Sequence, residues 1–151
     1  MRKTIISGTS CFIILTNIGE LDLLRKIYGQ IITTVEVADE FGETLPEWIT
    51  INAPSDKHCQ RIFELQIDKG EASAIALALE ISDCTIILDD QKARKLAEAL
   101  GLEITGTIGV IIKAKLRGII PSVKPFLAKI RKTDFRLSVE IERQALKEAS
   151  E

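Results

Sequence analysis

The side chains best suited to chemistry are acids, and they fall at the ends of predicted elements. Cys84-Thr85-Ile86-Ile87-Leu88 reads as a strand buried on both faces, and it ends in Asp89-Asp90. Adjacent carboxylates repel unless a cation or a hydrogen-bond donor compensates them. Taken alone, the pair is equally well explained as a turn in which Asp89 or Asp90 caps the next helix. Glu71 opens a strongly apolar helix, where a carboxylate meets the positive end of the helix dipole. Glu40 lies one turn after Glu36 on an amphipathic helix, for which a solvated face is the default. Gly8-Thr9-Ser10 closes the first predicted strand with two hydroxyls. None of these acids is specific by itself. Acids from separate elements that converge on one crevice are what Mg²⁺ or Mn²⁺ requires, because hard cations take oxygen ligands, typically one or two carboxylates plus waters and substrate phosphate.

Other chemistries find little support. His58 is the only histidine and sits on a predicted helix beside residues that face elsewhere, so a histidine-rich metal site is excluded and a surface role is expected. Cys11, Cys59 and Cys84 are far apart, form no C-x-x-C pair and are odd in number, which argues against a disulfide framework and for a reducing, cytoplasmic setting. Cys84 and Cys11 read as core residues. Neither a G-x-x-x-x-G-K-[ST] loop nor a G-x-S-x-G elbow occurs. Gly106-Thr107-Ile108-Gly109 opens a helix and could offer backbone N–H groups to a phosphate, although a plain turn is the better explanation of that segment by itself.

These residues need a scaffold, and the hydrophobic pattern predicts one. Short strands are expected at Thr4–Ser7, Gln30–Thr33, Trp48–Ile51, Cys84–Leu88 and Leu102–Thr105. Helices are expected from Gly8-Thr9-Ser10 to about Thr16, around Leu21–Ile27, and from Thr33 to Gly42, with Thr33 and Glu36 as a T-x-x-E capping box. Further helices are expected over Asp56–Gln66, Glu71–Ile81, Gln91–Leu100, Thr107–Arg117, Val123–Lys132 and Ser138–Ala149. The Glu71–Ile81 helix is apolar nearly all round and should be the most buried. Strands alternating with helices imply an α/β fold with a parallel sheet covered on both faces. In such sheets, ligands bind outside the carboxyl ends of the strands.

The 151 residues, 46% of them hydrophobic, suit a single domain spanning 1–151. A net charge of -2, from 20 Lys+Arg and 22 Asp+Glu, excludes a uniformly basic coat protein but not a local basic face. Arg2 and Lys3 before an apolar stretch faintly mimic a signal peptide, yet Ser7-Gly8-Thr9-Ser10 interrupts it and no cleavage site follows. No apolar run reaches the roughly 18 residues of a membrane span, so no membrane association is expected.

Five blocks in register resemble a PIN domain: Ile5-Ile6-Ser7-Gly8-Thr9-Ser10, Val37-Ala38-Asp39-Glu40-Phe41, the Gly70–Ala78 segment, the Ile87–Arg94 segment and the Gly106–Lys115 segment. More narrowly, the chain is similar to the PIN-like (VapC-like) ribonucleases of type II toxin–antitoxin pairs. The resemblance covers nearly the whole chain. It implies a twisted parallel sheet with helices on both faces, an acidic pocket for Mg²⁺ or Mn²⁺, and cleavage of RNA phosphodiesters. The family's acids carry over to Glu40, Glu71 and the pair Asp89–Asp90, either of which fits as the direct ligand. Thr9 and Ser10 match the hydroxyls that follow the family's first acid. Lys92, Arg94, Lys113, Lys115 and Arg117 are then candidates to hold the RNA backbone beside the pocket.

Gly8 departs from the resemblance, because it stands where the family places its first aspartate. Two origins are open: a lineage that lost the acid, or a substitution that makes a toxic nuclease tolerable to its host. Two functions stand accordingly: a metal-dependent ribonuclease impaired at Gly8, or an inactive PIN-fold module that binds RNA or a protein. A receiver-like signalling domain fits poorly, since it needs an acidic pair where this chain has Ser7-Gly8. The resemblance further implies an antitoxin partner and a homodimer. Ile111, Ile112, Leu116, Ile119 and Ile120 form an apolar stretch larger than one helix face needs, and are the expected dimer surface.

Overall fold

The computed structural model describes residues 3–151. Five strands form one parallel sheet: β1 (Thr4–Ser7), β2 (Ile31–Thr34), β3 (Ile49–Asn52), β4 (Cys84–Ile87) and β5 (Glu103–Thr105), in the order β3-β2-β1-β4-β5. β1 lies at the centre, with Ile6 opposite Ile32 on one side and Ile86 on the other. The order reverses there: from β1 the chain proceeds outward to β2 and β3, then returns to add β4 and β5 on the opposite side. Such a reversal leaves a crevice beyond the carboxyl ends of the strands.

The helices among the described residues are α1 (Thr9–Asn17), α2 (Asp22–Tyr28), α3 (Val35–Phe41), α4 (Lys57–Phe63), α5 (Lys69–Glu80), α6 (Gln91–Ala99), α7 (Thr107–Leu116), α8 (Lys124–Arg131) and α9 (Val139–Glu148). None is long and apolar enough to cross a membrane. Alternation along the strands sends neighbouring side chains to opposite faces. Ile5 and Ile87 join a core with Phe12, Leu15, Leu24, Val37, Ile111 and Leu127, whereas Ile6, Ile86 and Leu88 join a second core with Ile75, Ala93 and Ala97. The sheet therefore separates a layer built on α1, α2, α7 and α8 from one built on α5 and α6. Every residue of α5 from Gly70 to Ala78 except Glu71 is buried, as the apolar character of that helix predicts.

The expected elements are all present, with boundaries displaced by one to a few residues at most. The Thr33–Glu36 capping box is not. β2 extends through Thr34, so Thr34 becomes the cap of α3 and its hydroxyl accepts from the Val37 N–H. The Thr33 hydroxyl instead donates to the Ser7 carbonyl, and Glu36 accepts from the Gln60 side chain. α5 begins two residues before Glu71, capped by Asp68, which accepts from the Glu71 N–H.

The expected dimer surface is largely interior. Ile111, Ile112 and Ile120 are buried in the first core and Ile119 packs against it, because the segment after α7 folds back over the sheet. Only Leu116 of that group is widely exposed, at 62%.

Candidate functional site

Helices α1, α3, α6 and α7 each start within a few residues of a strand's carboxyl end, and α5 starts beside them. Their first turns carry unpaired N–H groups and a partial positive charge that offsets nearby carboxylates. Acids collect there. Glu40, Asp68, Glu71 and Asp89 line one cavity of about 120 Å³ together with Gly8, Thr9 and Ser10. The crevice thus unites Glu40, Glu71 and Asp89, which are distant in sequence, with the hydroxyl pair that follows β1.

Each acid is held differently. Glu40 projects from the last turn of α3 towards the start of α5. One of its oxygens accepts the Gly70 N–H at 2.7 Å and the other accepts the Thr9 hydroxyl at 3.0 Å. Gly70 must lack a side chain for this: a Cβ there would stand 2.3 Å from the Glu40 Oε1. A buried polar chain fixes the approach. The Thr34 and Ser73 hydroxyls meet at 2.6 Å, and Ser73 donates to the Gly70 carbonyl.

Asp89 is fastened to the start of α7. Its Oδ1 accepts the Thr107 N–H and its Oδ2 the Thr107 hydroxyl. Burial still holds its carboxyl above the ordinary range, with the two Thr107 bonds opposing that rise. Asp90 caps α6 by accepting from the Ala93 N–H. The two members of the pair thus have distinct roles: Asp89 faces the acidic cavity, whereas Asp90 closes a helix at its rim.

Glu71 is the acid most exposed to the others' charge. Burial first, then the negative charges of Asp68 and Asp90, push its carboxyl up to about 8. A cation or a donor entering the cavity would reverse that rise. The lining oxygens therefore suit a small hard cation in kind. In number they fall short, since among the described residues no three Asp, Glu, His or Cys side chains form a set able to hold an ion.

Gly8 lies at the end of β1, donates its N–H to the Ile87 carbonyl, and caps α1 without a side-chain acceptor. A Cβ on Gly8 would stand 3.3 Å from the Ile87 carbonyl oxygen and 3.4 Å from Leu88 Cδ2, so a side chain there requires shifts of only a few tenths of an ångström.

The basic residues divide. Arg94 is beside the site, where its guanidinium donates to the Leu88 carbonyl. Lys92 is exposed on the first turn of α6. Lys115 is bound to the end of the chain, donating to the Ala149 carbonyl and pairing with Glu151. Lys113 and Arg117 line a different cavity with Lys3, Gly29 and Thr85, at the amino end of the sheet. The expectation that all five flank the acidic pocket is corrected here: α7 starts at the pocket and carries its later residues away from it. His58 is exposed, and Cys11 and Cys84 are buried, as expected.

Sequence reasoning missed Asp68, Thr107, Thr34 and Ser73. Asp68 was legible, since Asp68-Lys69-Gly70-Glu71 has the D-x-x-E spacing of a capped helix start. Thr107 carried no signal apart from opening a helix, because its partner Asp89 is 18 residues earlier. A family model described as PIN domain matches residues 4–151. No curated protein matches the chain.

Proposed function

The chain belongs to the PIN-domain family, whose members are in general nucleases, and from that premise we propose a metal-dependent endoribonuclease impaired by Gly8. The observation that carries the reading is the convergence of Glu40, Glu71 and Asp89 on one cavity at the carboxyl end of the sheet. Together with an acid at position 8, Glu40, Glu71 and Asp89 are the residues that would contact Mg²⁺ or Mn²⁺, with Asp68 on the cavity wall and Asp90 at its rim adding charge. Such an ion, when bound, supplies water activation and neutralisation of phosphate charge.

The chain's own residues set the geometry of that site. The Thr107 clamp fixes Asp89 in one orientation, and the Thr9 hydroxyl with the Gly70 N–H fixes Glu40. Arg94, beside Asp89, is placed to meet a substrate phosphate. A toxin reading extends the same site: an antitoxin segment would lie across the crevice and send a basic side chain among the acids, forming a hydrogen-bonded ion pair in place of metal.

The test is RNA cleavage with Mn²⁺ and Mg²⁺ by this chain and by Gly8→Asp. An aspartate at position 8 would cap α1 as well as add a carboxylate oxygen to the cavity. Gly8→Asp is expected to cleave at least about tenfold faster, which asks for only about 1.4 kcal/mol of transition-state stabilisation. Equal metal-dependent rates would reject the assignment of position 8. Cleavage by neither chain would favour the second reading, an inactive module that binds RNA or protein, for which the carboxylate-free lining at Gly8 is the supporting observation.

A further inference from the structure

A cavity of about 680 Å³ opens at the amino end of the sheet, away from the acids. Five cations line it from three parts of the chain: Lys3 at the start of β1, Arg25 and Lys26 on α2, and Lys113 and Arg117 near the end of α7. Glu103 is the one acid in the lining and is paired with Lys3, while Arg25 is paired with Asp22. Among the described residues, Lys26, Lys113 and Arg117 form no ion pair with a carboxylate.

The arrangement is costly as it stands. Lys113 and Arg117 are one turn apart on a helix, a spacing at which like charges repel. Burial and then the Arg117 charge hold the Lys113 ammonium below its ordinary range. Lys113 Nζ lies 5.4 Å from the centre of the Tyr28 ring, and Arg117 is tied to the Ile27 carbonyl, so neither is free to swing away together with its charge. Tyr28 also lines the cavity, with its hydroxyl oxygen buried on the core side near Cys11. An anion that accepts from several donors at once offsets the repulsion between the cations.

We propose that this cavity binds a pyrophosphate group, free or carried by a nucleotide, between Lys26 on α2 and Lys113 and Arg117 on α7. A single phosphate is small for the cavity, whereas a pyrophosphate spans cations on separate elements. The volume falls within the roughly 300–1,000 Å³ of small-molecule sites. An RNA backbone is the lesser fit: the cations converge on one concavity instead of forming a track, and they stand at the far end of the sheet from the acidic crevice.

The test is titration calorimetry of the full chain, at constant ionic strength, with pyrophosphate, ADP, orthophosphate and a short single-stranded RNA. Pyrophosphate or ADP is expected to bind with a Kd below about 1 mM and at least about tenfold more tightly than orthophosphate. Equal affinity for the first two identifies the pyrophosphate group as the determinant, and tighter ADP binding identifies a nucleotide. Lys113→Gln and Lys26→Gln should each weaken binding at least about fivefold, and Glu71→Gln should leave it unchanged. Lys26 makes no side-chain hydrogen bond or ion pair among the described residues, so its replacement tests the site without disturbing the fold. The proposal is overturned if neither compound binds, if binding survives both lysine replacements, or if RNA alone binds in a Lys113-dependent way. Because no cleavage is measured, failure here leaves the nuclease reading untouched.

Discussion

Thr107 donates from both its backbone N–H and its hydroxyl to the two oxygens of Asp89, at 2.8 and 2.6 Å. The acid at the end of β4 is thereby joined to the helix that follows β5, across a strand boundary. Asp89 is partly buried in the cavity wall, so each donor compensates charge that water reaches only in part. Thr107→Val keeps the N–H and the side-chain shape but removes the hydroxyl. It is expected to cost about 1–2 kcal/mol, the range for losing one hydrogen bond to a partly exposed charged group, with Thr107→Ser losing less. Urea unfolding of the two variants checks this. Equal midpoints for valine and the parent would show that the hydroxyl bond adds nothing.

Glu71 predicts a pH dependence of stability. Its folded value of about 8 lies above the ordinary 4.5, so between those values the folded state holds a proton that the unfolded chain has released. Stability from this group is full below about pH 4.5 and is lost as pH rises through about 8. Glu71→Gln should remove that loss. With screening at a partly exposed group allowed for, about 1 kcal/mol is expected at pH 8, or roughly 2–4 °C in Tm. Thermal scans at pH 5 and pH 8 should show the variant's advantage only at the higher pH. An advantage at both would point to a cause other than titration.

Gly70→Ala separates site geometry from stability. The new methyl would meet the Glu40 carboxylate, the far end of an exposed and flexible side chain, so Glu40 can swing aside. Alanine also favours helix over glycine by roughly 0.5–1 kcal/mol, which offsets the lost hydrogen bond. Stability is expected to change by less than about 1 kcal/mol. Cleavage in a Gly8→Asp background should fall at least about tenfold, because Glu40 leaves the cavity. Unaltered cleavage would remove Glu40 from the site.

The cysteines predict a graded reactivity. Burial pushes the Cys11 thiol up to about 12, with the Asp89 charge adding to the rise, and Cys84 is buried in the other core. Cys59 is partly exposed on α4. Brief treatment of the native chain with iodoacetamide, read by peptide mass, should modify Cys59 well before the other two. Early labelling of Cys11 would mean that the core behind β1 opens.

The sequence was most readable where structure is local. Apolar alternation and helix-opening residues placed the strands and helices, because both signals arise within a few residues of the element they define. Capping was harder. Thr33 and Thr34 are both β-branched hydroxyl residues, and only the parallel register of β2 against β3, with Thr34 opposite Asn52, makes the second of them the cap. The acids Glu40, Glu71 and Asp89 were legible as a group because strand ends and helix starts converge in a parallel sheet. Their partners were not, since Thr9 meets Glu40 across 31 residues and Thr107 meets Asp89 across 18. The lysines and arginine of α7 misled for a related reason: a helix of 10 residues beginning at the crevice must end about 15 Å away.

The central position of β1 also orders events in time. Its two neighbours are β2, which follows soon, and β4, whose residues come some 80 positions later. A chain emerging from the ribosome therefore holds Gly8 and Glu40 long before it holds Asp89 and the Thr107 that clamps it. Contacts so distant in sequence pay their loop-closure entropy late in folding. The acidic crevice thus forms only once β4 and the start of α7 have been made, so an unfinished chain carries the separate acids without the cavity that unites them.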